Sequence, residues 1–441
     1  MNSRSLILIS LRFLLATLIV AWLLAIGKHP IHLEPDSYGY VQDASNLFVP
    51  GYLSQRPPLY PLWLLAFGSG SAGLGILCFL VNAGSLFNFI KMVSGKGWKG
   101  FFSLRNSLVL VFFFLLSSIW SYCATVLTES ILFAVELWIF IWMVRIFQPA
   151  KPWRPVLTIV YALLISALAI TLKPWIMVFV LLVSVVLLLA SLLVKSFRPH
   201  SRAALLTFVV FLIAFSSSYS YSKSKSFESA NAVVLMISTP GEIADLRKNA
   251  DASTMDSSSA SLANDVLSDI QLINTQFGGN PWQASESGRL LRLNILKKEY
   301  APGIRKAFQL MYFNDWRNTL GLATTALHRY FIQLKAGLST LDMTYGPRIR
   351  LIRSVDFPFI FIVLAICGFY YRKHRHPRNP GTVDHTVLVF STVIFFAALL
   401  FAISLTLAGT DLQRVVYTAI PFQLFALVYF VFRFRRPRQG D

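Results

Sequence analysis

Long apolar runs separated by short polar gaps make up most of this chain. The first runs from Leu6 to Ile26, close to the ~20 residues a helix needs to cross a hydrocarbon core roughly 30 Å thick. Comparable runs cover Ser71–Val93, Ser107–Ser121, Thr125–Phe147, Val156–Leu172, Trp175–Val194, Ala203–Tyr221, Phe357–Tyr371, Thr386–Ala408 and Val415–Phe432. Their length and lack of internal charge predict an all-α, polytopic membrane bundle of about ten transmembrane helices.

One stretch interrupts this pattern. "HLEPDSYGYVQDASNLFVPGYLSQRPPLYP" (His32–Pro61) sets two acids and an arginine in a turn-rich segment between two apolar spans. Asp36 and Ser37 stand where a short surface helix is expected to begin, after Pro35.

Composition agrees with the membrane class. Of 441 residues, 55% are hydrophobic and 14% charged, and the mean hydropathy is +0.60, which excludes a soluble globule. The net charge of +20 would point to nucleic acid in a soluble protein, but its distribution excludes that partner. Basic residues gather in alternate gaps: Lys91–Arg105, Arg145–Arg154, Lys195–Arg202, Arg372–Arg378 and Arg433–Arg438. Loops rich in Lys and Arg stay cytoplasmic, so both termini are expected inside and the remaining gaps outside. Cys78, Cys123 and Cys367 are read as lying within spans, with no disulfide or metal spacing.

Three regions follow: an N-terminal transmembrane module (1–222) with its first outer loop at 27–70, an extracytoplasmic and mostly helical domain (223–353), and a C-terminal transmembrane module (354–441). The Ser-rich Ala250–Ala263 stretch lacks apolar periodicity. From Asn314, Leu320, Ala323, Leu327, Phe331, Leu334 and Leu338 form one apolar stripe, expected to pack on the membrane or the bundle.

With this topology the unusual charges share the outer face. Glu34, Asp36 and Arg56 lie in the first outer loop. Glu129 is expected about one turn inside the outer end of the fourth span, Lys173 at the outer end of the fifth, and Asp411 and Arg414 at the outer end of the tenth. Ionisable groups at a membrane face are costly and mark sites. Each also has a plain structural reading. Asp36 would cap a helix, Glu34 would be a solvated acid, and Arg56 and Lys173 would anchor at headgroups. Glu129 would tie two helices together. Glu136, about 10 Å deeper on the same helix face, is expected to make an internal polar contact.

The motif order resembles the GT-C glycosyltransferases, in the branch of protein O-mannosyltransferases and lipid A aminoarabinose transferases. The residues that carry the likeness are "EPDSYGYVQDASNL…GYLSQRPPLYPLW", "TESILFAVELW", "ALAITLKPW" and "DLQRVVYTAIPF". The resemblance implies a GT-C-like bundle with outer-face surface helices and a polyprenyl-phosphate-linked sugar donor. It implies Asp36 as general base, with Glu34 and Glu129 as accompanying carboxylates. Arg56, Lys173 and Arg414 would bind the donor phosphate, and Tyr40, Tyr60, Asp411 and Tyr417 would line the substrate pocket. Two positions depart from the family pattern. Lys173 stands where arginine is common, which removes bidentate phosphate binding. Val415 and Val416 separate Arg414 from Tyr417, where the family has an adjacent pair.

These residue types suit inverting sugar transfer, in which a carboxylate takes the acceptor's proton and cations stabilise the departing phosphate. No cofactor is assigned. A divalent metal, Mg or Mn, stays open, with Glu34 and Asp36 as its ligands if one binds. The acceptor is a lipid, a glycan or a protein hydroxyl, membrane lipids surround the bundle, and compact size points to a bacterial inner membrane with the active site extracytoplasmic. A transporter or flippase of a lipid-linked or anionic substrate is the competing reading. Such proteins place charges near the midplane, often with internal repeats, and no repeat is visible here. A non-catalytic scaffold is the third.

Overall fold

The computed structural model describes residues 3–28, 35–50, 58–68, 71–95, 100–116, 119–120, 122–126, 128–147, 154–173, 175–224, 385–405 and 420–433. Two compact units divide the chain. The first comprises Met1–Ser218, Leu334–Phe401 and Tyr417–Asp441 and holds every side-chain contact given below. The second comprises Tyr219–Gln333 and Ala402–Val416; its described residues are helix ends. The expected span Phe357–Tyr371, the apolar stripe from Asn314 and nearly all of the 223–353 domain lie outside the described residues.

The described residues are helical throughout, without strands. In chain order the helices are α1 (Ser3–Lys28), α2 (Pro35–Asn46), α3 (Leu59–Phe67), α4 (Ala72–Ser94), α5 (Leu104–Leu115), α6 (Glu129–Phe147), α7 (Arg154–Leu172), α8 (Trp175–Leu193), α9 (Ser201–Ser224), α10 (His385–Leu405) and α11 (Ile420–Arg433). Short 3₁₀ segments cover Tyr122–Ala124 and Lys195–His200. Among the described residues, five stretches are long and apolar enough to cross a membrane: Ser5–Lys28, Ala72–Ser94, Glu129–Phe147, Ile176–Leu193 and Phe197–Ser217. Phe13, Val20 and Leu24 of α1 and Leu189 and Leu192 of α8 are exposed, an apolar surface expected to meet lipid rather than water.

Helix α6 is the central element. Apart from Trp138, Arg145 and Ile146, its residues are buried. Phe133 and Phe140 meet Phe425 of α11 at 5.5 and 5.7 Å, and Phe140 meets Phe89 of α4 at 5.7 Å. Helices α4, α6 and α11 run parallel: α4 contacts α6 near its start through Asn82 and Ser130 and further along through Phe89 and Phe140, while Arg433 at the end of α11 reaches Met92. Helix α7 runs antiparallel to α6 and turns into α8 within "LKPW", as the sequence suggested. The Lys173 amide still donates to Ala169 (2.8 Å), and the Ile176 amide donates to Lys173 (3.1 Å).

Two boundaries and one helix differ from the apolar pattern. Helix α5 ends at Leu115 rather than near Ser121, because two tryptophans take its terminal carbonyls. Trp120 Nε1 donates to Phe113 (2.8 Å) and Trp22 Nε1 to Phe114 (2.9 Å). Trp120 also stacks on Phe114 at 4.5 Å, so the chain folds back where an uninterrupted span was expected. Helix α6 begins at Glu129 rather than Thr125, since the preceding residues form the 3₁₀ turn and the Val126 carbonyl is engaged elsewhere. Cys123 therefore lies in that turn, not inside a span. Helix α3, within "PPLYPLW", was not foreseen. Pro58 precedes it and Pro61 sits in its first turn, where a missing N–H costs no helical hydrogen bond.

The two ends of the bundle differ in chemistry. One end gathers the starts of α2, α4, α6 and α8. The other gathers the C-termini of α4 and α11, the start of α5 and the start of α10, where Thr386 lies 3.3 Å from His200 of the second 3₁₀ segment.

Candidate active site

The site forms at the end where α6 begins. Lys173, just past α7, donates from Nζ to Glu129 Oε1 at 2.7 Å. Thr128 Oγ1 donates to the second oxygen, Oε2, at 3.1 Å. The Glu129 side chain is 0% exposed and that of Lys173 15%, so the pair is shielded from water. Glu129 also occupies the first position of α6, where unpaired amides favour negative charge. Helix dipole, hydroxyl and ammonium together offset the desolvation cost that a buried carboxylate carries.

Helix α2 is fastened beside this pair. Helix α2 begins at Pro35, with Asp36 in its first turn. Its Ser37 hydroxyl donates to the Val126 carbonyl (2.9 Å), three residues before Glu129. Ser37, Tyr40 and Ala44 are buried on one face of α2, while Tyr38 is exposed. The Tyr40 ring meets Tyr60 of α3 edge-on at 5.2 Å, which seats α2 on α3. Tyr60 is fully buried, and Ser130 Oγ lies 3.4 Å from its hydroxyl. Burial, with Cys78 beside it, pushes the Tyr60 phenol well above its usual range.

Beneath the site a polar strut locks α4 to α6. Asn82 Nδ2 donates to the Ser130 carbonyl (2.8 Å), and the Ala134 amide donates to Asn82 Oδ1 (3.1 Å). Ser130 and Ala134 are an i, i+4 pair, so the carboxamide bridges one step of the α6 ladder. Asn82 also lies 3.4 Å from Cys123 Sγ, and burial pushes that thiol up. Gly75 allows the closest approach of backbones: a β-carbon there would meet Ile26 Cγ2 at 2.7 Å and the Cys123 carbonyl at 2.8 Å.

Glu136 departs from expectation. It is fully buried, yet neither carboxylate oxygen has a hydrogen-bond partner among the described residues, so the expected internal polar contact has no hydrogen-bonded counterpart there. Ser166 of α7 is likewise buried with its hydroxyl unpartnered. Glu136 lies seven residues beyond Glu129 and Ser166 seven before Lys173. In an antiparallel pair this brings both about 10 Å inward from the ion pair, at the same level.

Of the residues singled out from sequence, Glu129, Lys173, Tyr40, Tyr60 and the backbone of Asp36 share this end. Glu34, Arg56, Asp411, Arg414 and Tyr417 lie outside the described residues. No group of three or more metal-ligating side chains occurs among the described residues. Sequence reasoning missed Asp43, buried on α2 and seven residues, two helical turns, after Asp36. It also missed Asn82, whose role depends on a partner helix and leaves no local signal. No family model, curated protein or solved structure matches this chain.

Proposed function

We propose that this protein is an integral-membrane glycosyltransferase that moves a sugar from a polyprenyl-phosphate donor to an acceptor hydroxyl at the extracytoplasmic membrane face. The observation that carries the reading is the buried Glu129–Lys173 pair beside the anchored start of α2. A carboxylate-bearing helix start and an ammonium held by a second carboxylate are the two elements that sugar transfer requires. Asp36 takes the proton of the acceptor hydroxyl as its oxygen bonds to the anomeric carbon. The bond from that carbon to the phosphate oxygen breaks, and the configuration inverts. Lys173, together with Arg56 and Arg414, stabilises the charge that passes to the departing phosphate. Glu129 positions the Lys173 ammonium before the donor arrives. In this reading the basic end of the bundle is cytoplasmic and both termini lie inside.

Replacing Asp36 with Asn and measuring sugar transfer from a polyprenyl-phosphate sugar in detergent tests the base. The expected outcome is a loss of at least about 10²-fold, with unchanged expression and thermal unfolding. Wild-type turnover in that variant would remove Asp36 from the mechanism.

Glu136 and Ser166 favour a second reading, a transporter or flippase. Unpartnered polar groups deep between two helices are what a translocation path requires. Movement of a lipid-linked sugar across liposomes without any sugar transfer would put this reading first.

A further inference from the structure

We infer that Glu136, inside the bundle on the seam between α6 and α7, is a proton-binding site whose side chain is held as the neutral carboxylic acid. The inference goes beyond sugar transfer and holds under either functional reading.

Glu136 belongs to a row along α6. Glu129, Phe133, Glu136 and Phe140 are spaced by four, three and four residues, so they share one face of the helix. The row starts at the Glu129–Lys173 ion pair (2.7 Å). Its two rings both meet Phe425 of α11, at 5.5 and 5.7 Å. One ring therefore stands a turn above Glu136, one a turn below, and α11 lays a third across the same level. Ser166 of α7 occupies that level on the other side of the seam. Glu136 is 0% exposed and Ser166 2%, and neither has a hydrogen-bond partner among the described residues. A carboxylate cut off from water and from donors has nothing to stabilise its charge. The neutral acid avoids that cost.

Charges on the surrounding elements do not replace the missing partner. Lys173 favours a negative charge at Glu136 and Glu129 disfavours one. The two are bound to each other, so at two turns' distance their effects oppose. On α4, α5, α7, α9 and α11 the cations Lys91, Arg105, Arg154, Arg202 and Arg433 belong to helix ends on the opposite, basic side. Arg145 of α6 and His385 of α10 belong there too. The other titratable groups on these elements and the first 3₁₀ turn, Cys78, Cys123, Tyr122, Tyr161 and Tyr429, are thiols and phenols and bring no positive charge. A metal ion would need several oxygen ligands around it, and no group of three or more metal-ligating side chains occurs among the described residues. A proton needs neither a cavity nor a ligand shell, so the chemistry of the site selects it.

The test compares full-length wild type and Glu136→Gln in nanodiscs at neutral pH by infrared difference spectroscopy. A neutral acid shows a C=O stretch that a carboxylate lacks. Wild type is expected to show that band and Glu136→Gln to lose it, with thermal unfolding near wild type because one neutral group replaces another. Should the glutamine variant fail to fold, Glu136→Asp takes its place and is expected to shift the band rather than abolish it. A difference confined to carboxylate stretches would overturn the site. Sodium supplies the second arm. Exchanging choline for sodium is expected to leave wild-type unfolding unchanged. A sodium-dependent rise in wild type that the variant lacks would mean an ionised carboxylate holding an alkali ion, which also overturns the proposal. Because neither readout needs a sugar donor, failure here leaves the Asp36 experiment untouched.

Discussion

The two ends of the bundle solve the same problem, an ionic group at the border of an apolar body, in opposite ways. Where α6 begins, charge is drawn inside and met by protein: ammonium to carboxylate, hydroxyl to carboxylate, carboxamide to backbone. Where α4 and α11 end, cations are steadied by ring faces and carbonyls: Arg105 over Phe432, Arg12 on the Phe102 carbonyl and Arg433 on the Met92 carbonyl. Losing a partner at the first end leaves a buried charge exposed to apolar neighbours. Losing a cation at the second removes a ring-face or carbonyl contact near the surface of the bundle. The energetic consequences of matched substitutions should therefore differ several-fold.

Lys173→Met tests the comparison at its strongest point. It removes the ammonium and leaves Glu129 buried, with the Thr128 hydroxyl still donating to it, so it is expected to lower stability by about 3–5 kcal/mol. The Glu129→Gln, Lys173→Met double variant should recover more than half of that loss, since neither charge then remains. Denaturant unfolding in detergent reads both values. A single-variant loss below about 1 kcal/mol would mean that the pair is as dispensable as a surface salt bridge.

Packing around the same end sets the next largest effect. Gly75→Ala places a methyl group 2.8 Å from the Cys123 carbonyl, which is backbone and cannot rotate aside. Overpacking of this kind costs about 1–3 kcal/mol. It would also push the 3₁₀ turn away from α4, so under the proposed function the sign of trouble at Glu129 is a drop in sugar transfer larger than the stability loss explains. Gly84→Ala is the control, because no atom lies within 4 Å of its added carbon.

How far this was legible in the sequence follows from which interactions are local. The start of α2 at Pro35, one residue before the expected position, and the tight α7–α8 turn at "LKPW" follow from proline stereochemistry, which a sequence displays directly. The gathering of Glu129 and Lys173 at one end follows from counting apolar spans, because antiparallel neighbours bring the start of one beside the end of the next. What pairs with what did not follow. Tryptophan is an ordinary member of an apolar run, so nothing local announces that Trp120 and Trp22 would donate to Phe113 and Phe114 and end α5 early. Asn82 in "LVNAGS" looks like a tolerated polar residue until Ser130 and Ala134 are seen beside it. Asp43 offered a faint signal, two helical turns after Asp36 on a short helix. Glu136 offered the opposite lesson: an acid within an apolar span suggests a partner, and here both oxygens lack one among the described residues.

The smallest expected effect belongs to the basic end. Arg105→Gln removes a guanidinium that stacks on Phe432 at 4.1 Å, an arrangement worth about 0.5–1 kcal/mol at an exposed position. The glutamine side chain still covers part of the ring, so unfolding should shift by less than about 1 kcal/mol. Added salt should shrink the difference further, since screening acts on exposed charge and much less on the buried Glu129–Lys173 pair. Measuring both variants in low and high salt therefore separates the ends by a second criterion besides size. If Arg105→Gln proved as costly as Lys173→Met and as indifferent to salt, the guanidinium would be serving as a buried structural charge. The contrast between a buried ion pair at one end and cations steadied by ring faces and carbonyls at the other would then fail.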